Sequence, residues 1–253
     1  PLELDIYIPS QKLAVEYHGL YWHSGGRKGY IDKYQHQQKY DLCAQQGIKL
    51  LQFFSDEWYD KPEIVKSMIK NALHKNEFSI GARECQVTTL SSKESKDFFE
   101  NNHLSGAVPA RVSYGLVHKL HGLLMATSLR VPQLSKKWYN HIELARMAPR
   151  LGWTVKGGAS KLLKQCLQYA KTNDNIGLLS YADLSTGTGH VYSNCGFQNF
   201  GKSGVQYWYT DGSQRFDRRK FRACGEKSEI EVALENNVEK VYGCANAIFV
   251  KAV

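Results

Sequence analysis

Asp5, Glu16, His18 and His23 are the residues whose types and spacing could carry chemistry in this chain. Glu3 to Pro9 and Ala14 to His23 alternate apolar and polar residues, the period of half-buried strands. Pro9, Ser10, Gln11 and Lys12 supply a turn between them. A hairpin folded about the Ser10–Gln11 bond sets Asp5 directly opposite Glu16. Side chains so opposed lie roughly 4.5–5.5 Å apart at Cβ, where like charges repel. A hard divalent cation relieves that repulsion, so Asp5, Glu16 and the Tyr17 carbonyl are the expected ligands of Mg²⁺, with Mn²⁺ as a substitute. His23 is then placed to deprotonate an attacking water, and His18 shares the face of the acids.

A helix expected over 31–46 puts His36, Lys39, Tyr40 and Cys43 at i, i+3, i+4 and i+7, on one face. Packed on the hairpin, His36 or Lys39 would approach the carboxylates and stabilise a phosphoryl transition state. The expected catalytic set is therefore Asp5, Glu16, His23, His36 and Lys39. Taken singly, each has a duller role: a lysine-neutralised surface acid, a hydrogen-bonded core histidine, a solvated helix lysine. The joint arrangement is what points to hydrolysis.

The elements that would position this set are compact. Gly47 stops the helix, Ile48 to Phe54 reads as an interior strand because it is apolar on both faces, and Asp60, Pro62 and Glu63 signal the start of another helix with an apolar face. Beyond residue 79 a second α/β unit begins. Ser91 or Ser92 caps a helix through Phe99, residues 110–131 form a hairpin around Lys119 to Gly122, and Ile142 to Met147 is a strand. Gly157-Gly158-Ala159-Ser160 opens a helix, followed by strands over 178–182 and 205–209 with a short helix at 189–194 between them. Two domains are expected, 1–79 and 80–253.

Hydrophobic content of 42% and 23% charged residues suit a soluble globular chain of 253 residues. No apolar run reaches the length of a membrane span and no secretory signal is seen, so an intracellular, cytoplasmic protein is expected, as in a phage-infected bacterium. Pro1 is not an initiator, so trimming is expected. The six cysteines show no C-x-x-C pair, which argues against a zinc ribbon and for reduced thiols. Ten basic and ten acidic residues balance over 1–79, whereas 80–225 holds twenty basic and nine acidic. A polyanionic partner gripped by the second part fits that asymmetry. Two basic runs carry aromatics suited to phosphate contact and base stacking: Lys136-Lys137-Trp138-Tyr139, and Arg215, Arg218, Arg219, Lys220 and Arg222 with Phe216 and Phe221.

The string Leu4-Asp5-Ile6, Glu16-Tyr17-His18-Gly19-Leu20-Tyr21-Trp22-His23 and Gly47 to Trp58 resembles the phage homing endonucleases related to the very short patch repair (Vsr) endonuclease, EDxHD members of the PD-(D/E)XK fold. The resemblance implies Mg²⁺-dependent cleavage of double-stranded DNA, with Asp5 as the strand aspartate and His23 as the catalytic histidine. The chain departs from that family in three ways: its leading glutamate would precede Pro1, Glu16 has no acidic counterpart in the repair enzyme, and His36 stands where an aspartate orients the histidine. Glu57 is expected to be structural.

Glu143-Leu144-Ala145-Arg146, Gly157 to Leu163, Ser180-Tyr181-Ala182-Asp183, Gly189 to Tyr192 and Gly196-Phe197 resemble the GNAT N-acetyltransferases, and within them the Mom-type DNA-modification proteins of phage. That resemblance implies an acyl-CoA fold in which Gly157, Gly158 and Ala159 would cradle the cofactor's pyrophosphate. Tyr181 and Asp183 would be site residues. Thr154 stands where the acyl-CoA loop has Gln or Arg, which argues against the cofactor. The expectation is thus an α/β endonuclease: a Vsr-like, PD-(D/E)XK domain, then a GNAT-like domain that grips DNA, as monomer or homodimer. The alternatives are a Mom-like transferase modifying DNA bases and a DNA-binding protein without chemistry.

Overall fold

The alternation of the first eighteen residues folds as a hairpin. In a computed structural model describing residues 3–23, 32–133 and 136–253, β1 (Ile6–Ile8) and β2 (Leu13–His18) run antiparallel across a 3-10 turn, Pro9–Gln11. The pairs Ile6–Val15, Tyr7–Ala14 and Ile8–Leu13 carry on to the Asp5–Glu16 position, the register expected from the turn. A short helix α1 (Leu20–His23) follows. The next, α2 (Gln35–Gln45), is shorter than the expected 31–46; residue 31 and the glycine loop before it lie outside the described residues.

Strand β3 (Lys49–Phe54) pairs parallel with β2 and closes a three-stranded sheet in the order β1-β2-β3. It is therefore an edge strand rather than an interior one. Its apolar residues are buried nonetheless, and residues 183–188 cover the open edge: the Gln52 N–H donates to the Ser185 carbonyl at 2.7 Å. Covering an edge with a loop satisfies its unpaired backbone groups. Ser55–Asp60 forms an additional helix, α3, so Asp60 ends a helix instead of capping the next.

The chain then enters a larger sheet through α4 (Pro62–Ala72) and β4 (Phe78–Gly81). Next come β5 (Cys85–Leu90), α5 (Ser92–Asn102), β6 (Val112–His118), β7 (Gly122–Arg130) and β8 (His141–Pro149). They are followed by β9 (Trp153–Lys156), α6 (Gly158–Thr172), β10 (Gly177–Asp183), α7 (His190–Asn194) and β11 (Gln198–Lys202). Ser91 caps α5, and its hydroxyl and the Glu94 carboxylate exchange hydrogen bonds with each other's backbone N–H, a capping box. Beyond β11 lie β12 (Tyr207–Thr210), β13 (Arg215–Phe216), α8 (Glu229–Glu235), β14 (Glu239–Tyr242) and finally β15 (Asn246–Ala252).

The large sheet has the order β11-β15-β10-β8-β7-β6-β5, so the last strand inserts between β10 and β11. β5 to β8 are successively antiparallel and β10 is parallel to β8. Segments β12, β13 and β14 make a separate three-stranded sheet around Tyr209, Phe221, Ala233 and Val238.

Two units result, and they differ from a cut at residue 79. The first comprises Pro1–Pro62, Asp183–Thr188 and Lys202–Asn246; the second comprises Glu63–Ala182, Gly189–Gly201 and Ala247–Val253. The division sharpens the charge asymmetry. The first unit has 15 basic and 16 acidic residues, the second 18 basic and 8 acidic. Among the described residues, no helix is long and apolar enough to cross a membrane.

Candidate functional site

The hairpin brings Asp5 and Glu16 together, but as hydrogen-bond partners of the protein itself. One Glu16 oxygen accepts the Asp5 N–H at 2.9 Å and the other takes the Lys39 ammonium at 2.5 Å. The exposed Asp5 carboxylate accepts the Tyr17 N–H at 2.8 Å. Glu16 is buried, 2% exposed, and a buried carboxylate needs the cation it has found. Lys39 reaches the acids from α2 as expected. His36 does not: its Nδ1–H donates to the Tyr242 carbonyl at 2.7 Å, and its ring stacks on His18 with centroids 4.0 Å apart. The His18 Nε2–H donates to Gln52 Oε1 at 3.1 Å. The backbone of His23 ends α1; its side chain lies outside the described residues.

These contacts correct the expectation of a Mg²⁺ or Mn²⁺ site on Asp5, Glu16 and Tyr17. Lysine occupies the place a divalent ion would take, and among the described residues no group of three or more His, Cys, Asp or Glu side chains could hold a metal ion. Nothing shows a PD-(D/E)XK nuclease domain. The region reads as a buried polar core linking α2, β2 and β3.

The 215–222 run also changes meaning. Arg215, 12% exposed at its side chain, meets Asp56 at 2.9 Å and Glu57 at 2.7 Å, with its guanidinium 4.4 Å from the Phe54 ring centroid and 4.8 Å from that of Trp208. It fastens the small sheet to α3 within the first unit. Arg219 chelates Asp217, Arg218 donates to the Tyr207 hydroxyl at 2.8 Å, and Lys220 lies over Phe216. Arg222 is exposed. In the other run Lys137 is exposed, 4.7 Å above the Trp138 ring, and the Lys136 side chain lies outside the described residues. Glu57 is structural, as expected: it accepts the Phe54 N–H at the start of α3 besides pairing Arg215.

The second unit builds a different site where β8 and β10 part. Their pairing runs from His141–Gly177 to Leu144–Ser180 and stops, although β8 continues to Pro149 and β10 to Asp183. The register between β7 and β8 shifts at the same level, passing from Ser128–Arg146 to Leu129–Leu144 and leaving Ala145 as a bulge. A bulge bends its strand. The Ser180 hydroxyl donates to the Leu144 carbonyl at 3.2 Å where the ladder ends.

Beyond the end of β8 begins α6. Gly157 takes φ +75°, left-handed backbone open to glycine, and no side chain caps the helix. Gly158 packs so closely that a Cβ there would stand 2.7 Å from Met125 Sδ and 3.0 Å from Val155 Cγ1. Leu162, Leu163, Cys166 and Ala170 form the buried face that anchors the helix. Lys161 is not a free cation in the first turn: its ammonium donates to the carbonyls of Ala82 at 3.0 Å and Cys85 at 2.6 Å. The first turn of α6 borders a cleft of about 310 Å³, also lined by Trp153, Thr154, Val191, Asn194 and Cys195. Thr154, the expected weak point, is held by Asn76, whose amide donates to its hydroxyl at 2.9 Å. Gly157, Gly158 and Ala159 all line this cleft. Asp183 serves locally, accepting the Ser185 N–H at 2.9 Å and the Ser185 hydroxyl. Burial pushes the Tyr181 phenol up, and the nearby Glu143 adds to it.

No family model matches this sequence, and no curated protein matches it. Similar solved structures are acetyltransferases. An acetyltransferase of Bacillus subtilis in complex with CoA is 12% identical over 67% of this chain and 99% of that one, with a TM-score of 0.40. A candidate acetyltransferase of Salmonella typhimurium with its cofactor acetyl-CoA is 8% identical over 67% and 94%, with a TM-score of 0.42. The ribosomal-protein-alanine N-acetyltransferase of Brucella melitensis is 10% identical over 56% and 68%, with a TM-score of 0.35. These neighbours are acetyltransferases rather than hydrolases, and two of them carry CoA or acetyl-CoA; the expected endonuclease, its Mg²⁺ and the doubt about acyl-CoA find no counterpart among them. The second unit is a mixed α/β fold built on the seven-stranded sheet.

Proposed function

We propose that the second unit is an acyl-CoA-dependent transferase whose acceptor is an amino group on DNA. The observation that carries this reading is the uncapped, glycine-started first turn of α6 over a cleft that Pro149, at the far end of β8, also lines. Backbone N–H groups at a helix start bind anions without needing a basic side chain, and the helix dipole adds to the attraction. A pyrophosphate fits the need for a small, charged group against glycine. Past Leu144, β8 stays paired with β7 but no longer with β10, and backbone groups on that open side could hydrogen-bond an extended amide chain.

Bound there, a CoA thioester supplies an activated acyl carbon. Gly157, Gly158 and Ala159 would hold its phosphates, and the thioester would acylate the acceptor amine with release of the CoA thiol. The excess of 18 basic over 8 acidic residues in this unit supports a polyanionic acceptor, because phosphate neutralisation supplies most of non-specific DNA affinity. The test is incubation of the whole chain with acetyl-CoA labelled in the acetyl group and duplex DNA. Label on the DNA, absent with Gly158→Val, supports the reading; label on neither DNA nor its nucleosides after complete digestion rejects this acceptor.

A further inference from the structure

A second cleft of the transferase-like unit, about 430 Å³, is lined by Pro109, Ala110 and Arg111 before β6 and by Arg130, Val131, Pro132 and Gln133 after β7. Two arginines and no acid face it. The geometry points to an anion subsite here, in which Arg130 and Arg111 take a phosphate or carboxylate group of the acceptor; as a place for the acceptor, this rests on the transferase reading above.

Arg130 is the prepared member. It stands opposite Glu143 across the β7–β8 pair, and its Nη2 donates to Glu143 Oε1 at 2.6 Å. Glu143 is buried, 3% exposed, and its Oε2 has no hydrogen-bond partner, nor does Arg130 Nε. A guanidinium fixed at one edge by a buried carboxylate keeps a defined orientation, and it presents paired donors that match the oxygens of phosphate or carboxylate.

Further charges lie close to it. Burial holds the Arg146 guanidinium on β8 below its ordinary value and repulsion from Arg130 adds to that, while Glu143 and Glu100 act the other way. The N–H groups of Arg146 go to the carbonyls of Gly106, Ala145 and Ser105, so no carboxylate chelates it. Arg130 and Arg146 thus stand near two carboxylates, the buried Glu143 and the exposed Glu100. A third arginine, Arg111, is exposed at the mouth. An anion in the cleft would meet the two lining arginines, whereas a cationic ligand would meet two like charges.

The experiment is equilibrium binding to the full chain without any acyl donor, using inorganic phosphate, acetate and a short DNA duplex in separate arms. Arg130→Gln should weaken binding at least about tenfold, the range of one hydrogen bond to a charged group. Arg111→Gln, on the surface and harmless to folding, should weaken it by a smaller factor, and Lys75→Gln should leave it unchanged. Saturable duplex binding that both arginine variants reduce identifies the phosphate as part of a nucleic acid. Phosphate or acetate binding with no arginine-dependent duplex binding identifies a small acidic acceptor. Equal binding of any probe by the wild-type and both variants, or no binding of any probe, overturns the subsite. Acetyl-CoA titrated into the same variants keeps the tests apart: unchanged donor affinity with no anion effect removes this inference and leaves the donor site standing.

Discussion

Arg215 and Asp56 are 159 residues apart in the chain, and Arg215 Nε–H donates a bifurcated hydrogen bond to both Asp56 oxygens, at 2.9 and 3.1 Å. Glu57 takes the other end of the guanidinium, and the rings of Phe54 and Trp208 flank it. Removing one member of a buried ion pair leaves an uncompensated charge. Arg215→Met should therefore cost about 3–5 kcal/mol in urea unfolding. Adding Asp56→Asn and Glu57→Gln should recover much of the loss, because the stranded carboxylates are then gone.

The pair between Lys39 and Glu16 obeys the same rule. Lys39→Met should destabilise the fold by about 3–5 kcal/mol, and Glu16→Gln in the same chain should restore part of it. Urea midpoints of the single and double variants measure the coupling. A role in metal-dependent cleavage predicts instead that stability is unchanged by either substitution.

These two pairs show what was legible in the sequence. The register of the hairpin was, because turn residues and alternation fix it locally, and Asp5 does meet Glu16. The start of α6 at Gly157 and the Ser91 cap were legible for the same reason. The partner of a charge was not. Arg215 among other arginines looks like a phosphate contact until Asp56 and Glu57 return from the other end of the chain. Nor could local pattern show that β15 inserts between β10 and β11, or that residues 202–246 complete the first unit: both depend on pairings between distant segments. The additional helix α3 was missed because its six residues, Ser55 to Asp60, are too few for an apolar period to declare itself.

His141 should make stability fall in mild acid. Burial holds its imidazole below the ordinary value, and its Nδ1 has no partner in the fold. The unfolded chain then takes up a proton at about pH 6.5 while the folded one resists it, so stability is lost as pH drops below that point. The urea midpoint should decline more between about pH 7.5 and pH 5.5 for the wild-type than for His141→Gln. Parallel curves would show that the ring is solvated.

Thiol reactivity should separate the cysteines by burial. Burial pushes the Cys166 and Cys244 thiols up to about 12, whereas Cys224 is exposed. The thiolate is the reactive form. Alkylation of the native chain near neutral pH, read by peptide mass spectrometry, should label Cys224 first and reach Cys166 and Cys244 only after denaturant is added.

The central claim is that the first turn of α6 holds the phosphates of an acyl-CoA. Calorimetric titration of acetyl-CoA into the wild-type and into Ala159→Glu tests it most directly. A carboxylate in that turn favours the helix, so the variant should stay folded, yet it repels an anion placed on the same N–H groups. The account predicts saturable binding by the wild-type, displaced by CoA, and its loss in the variant at unchanged circular dichroism. No binding by the wild-type, or equal affinity in the two proteins, would contradict it.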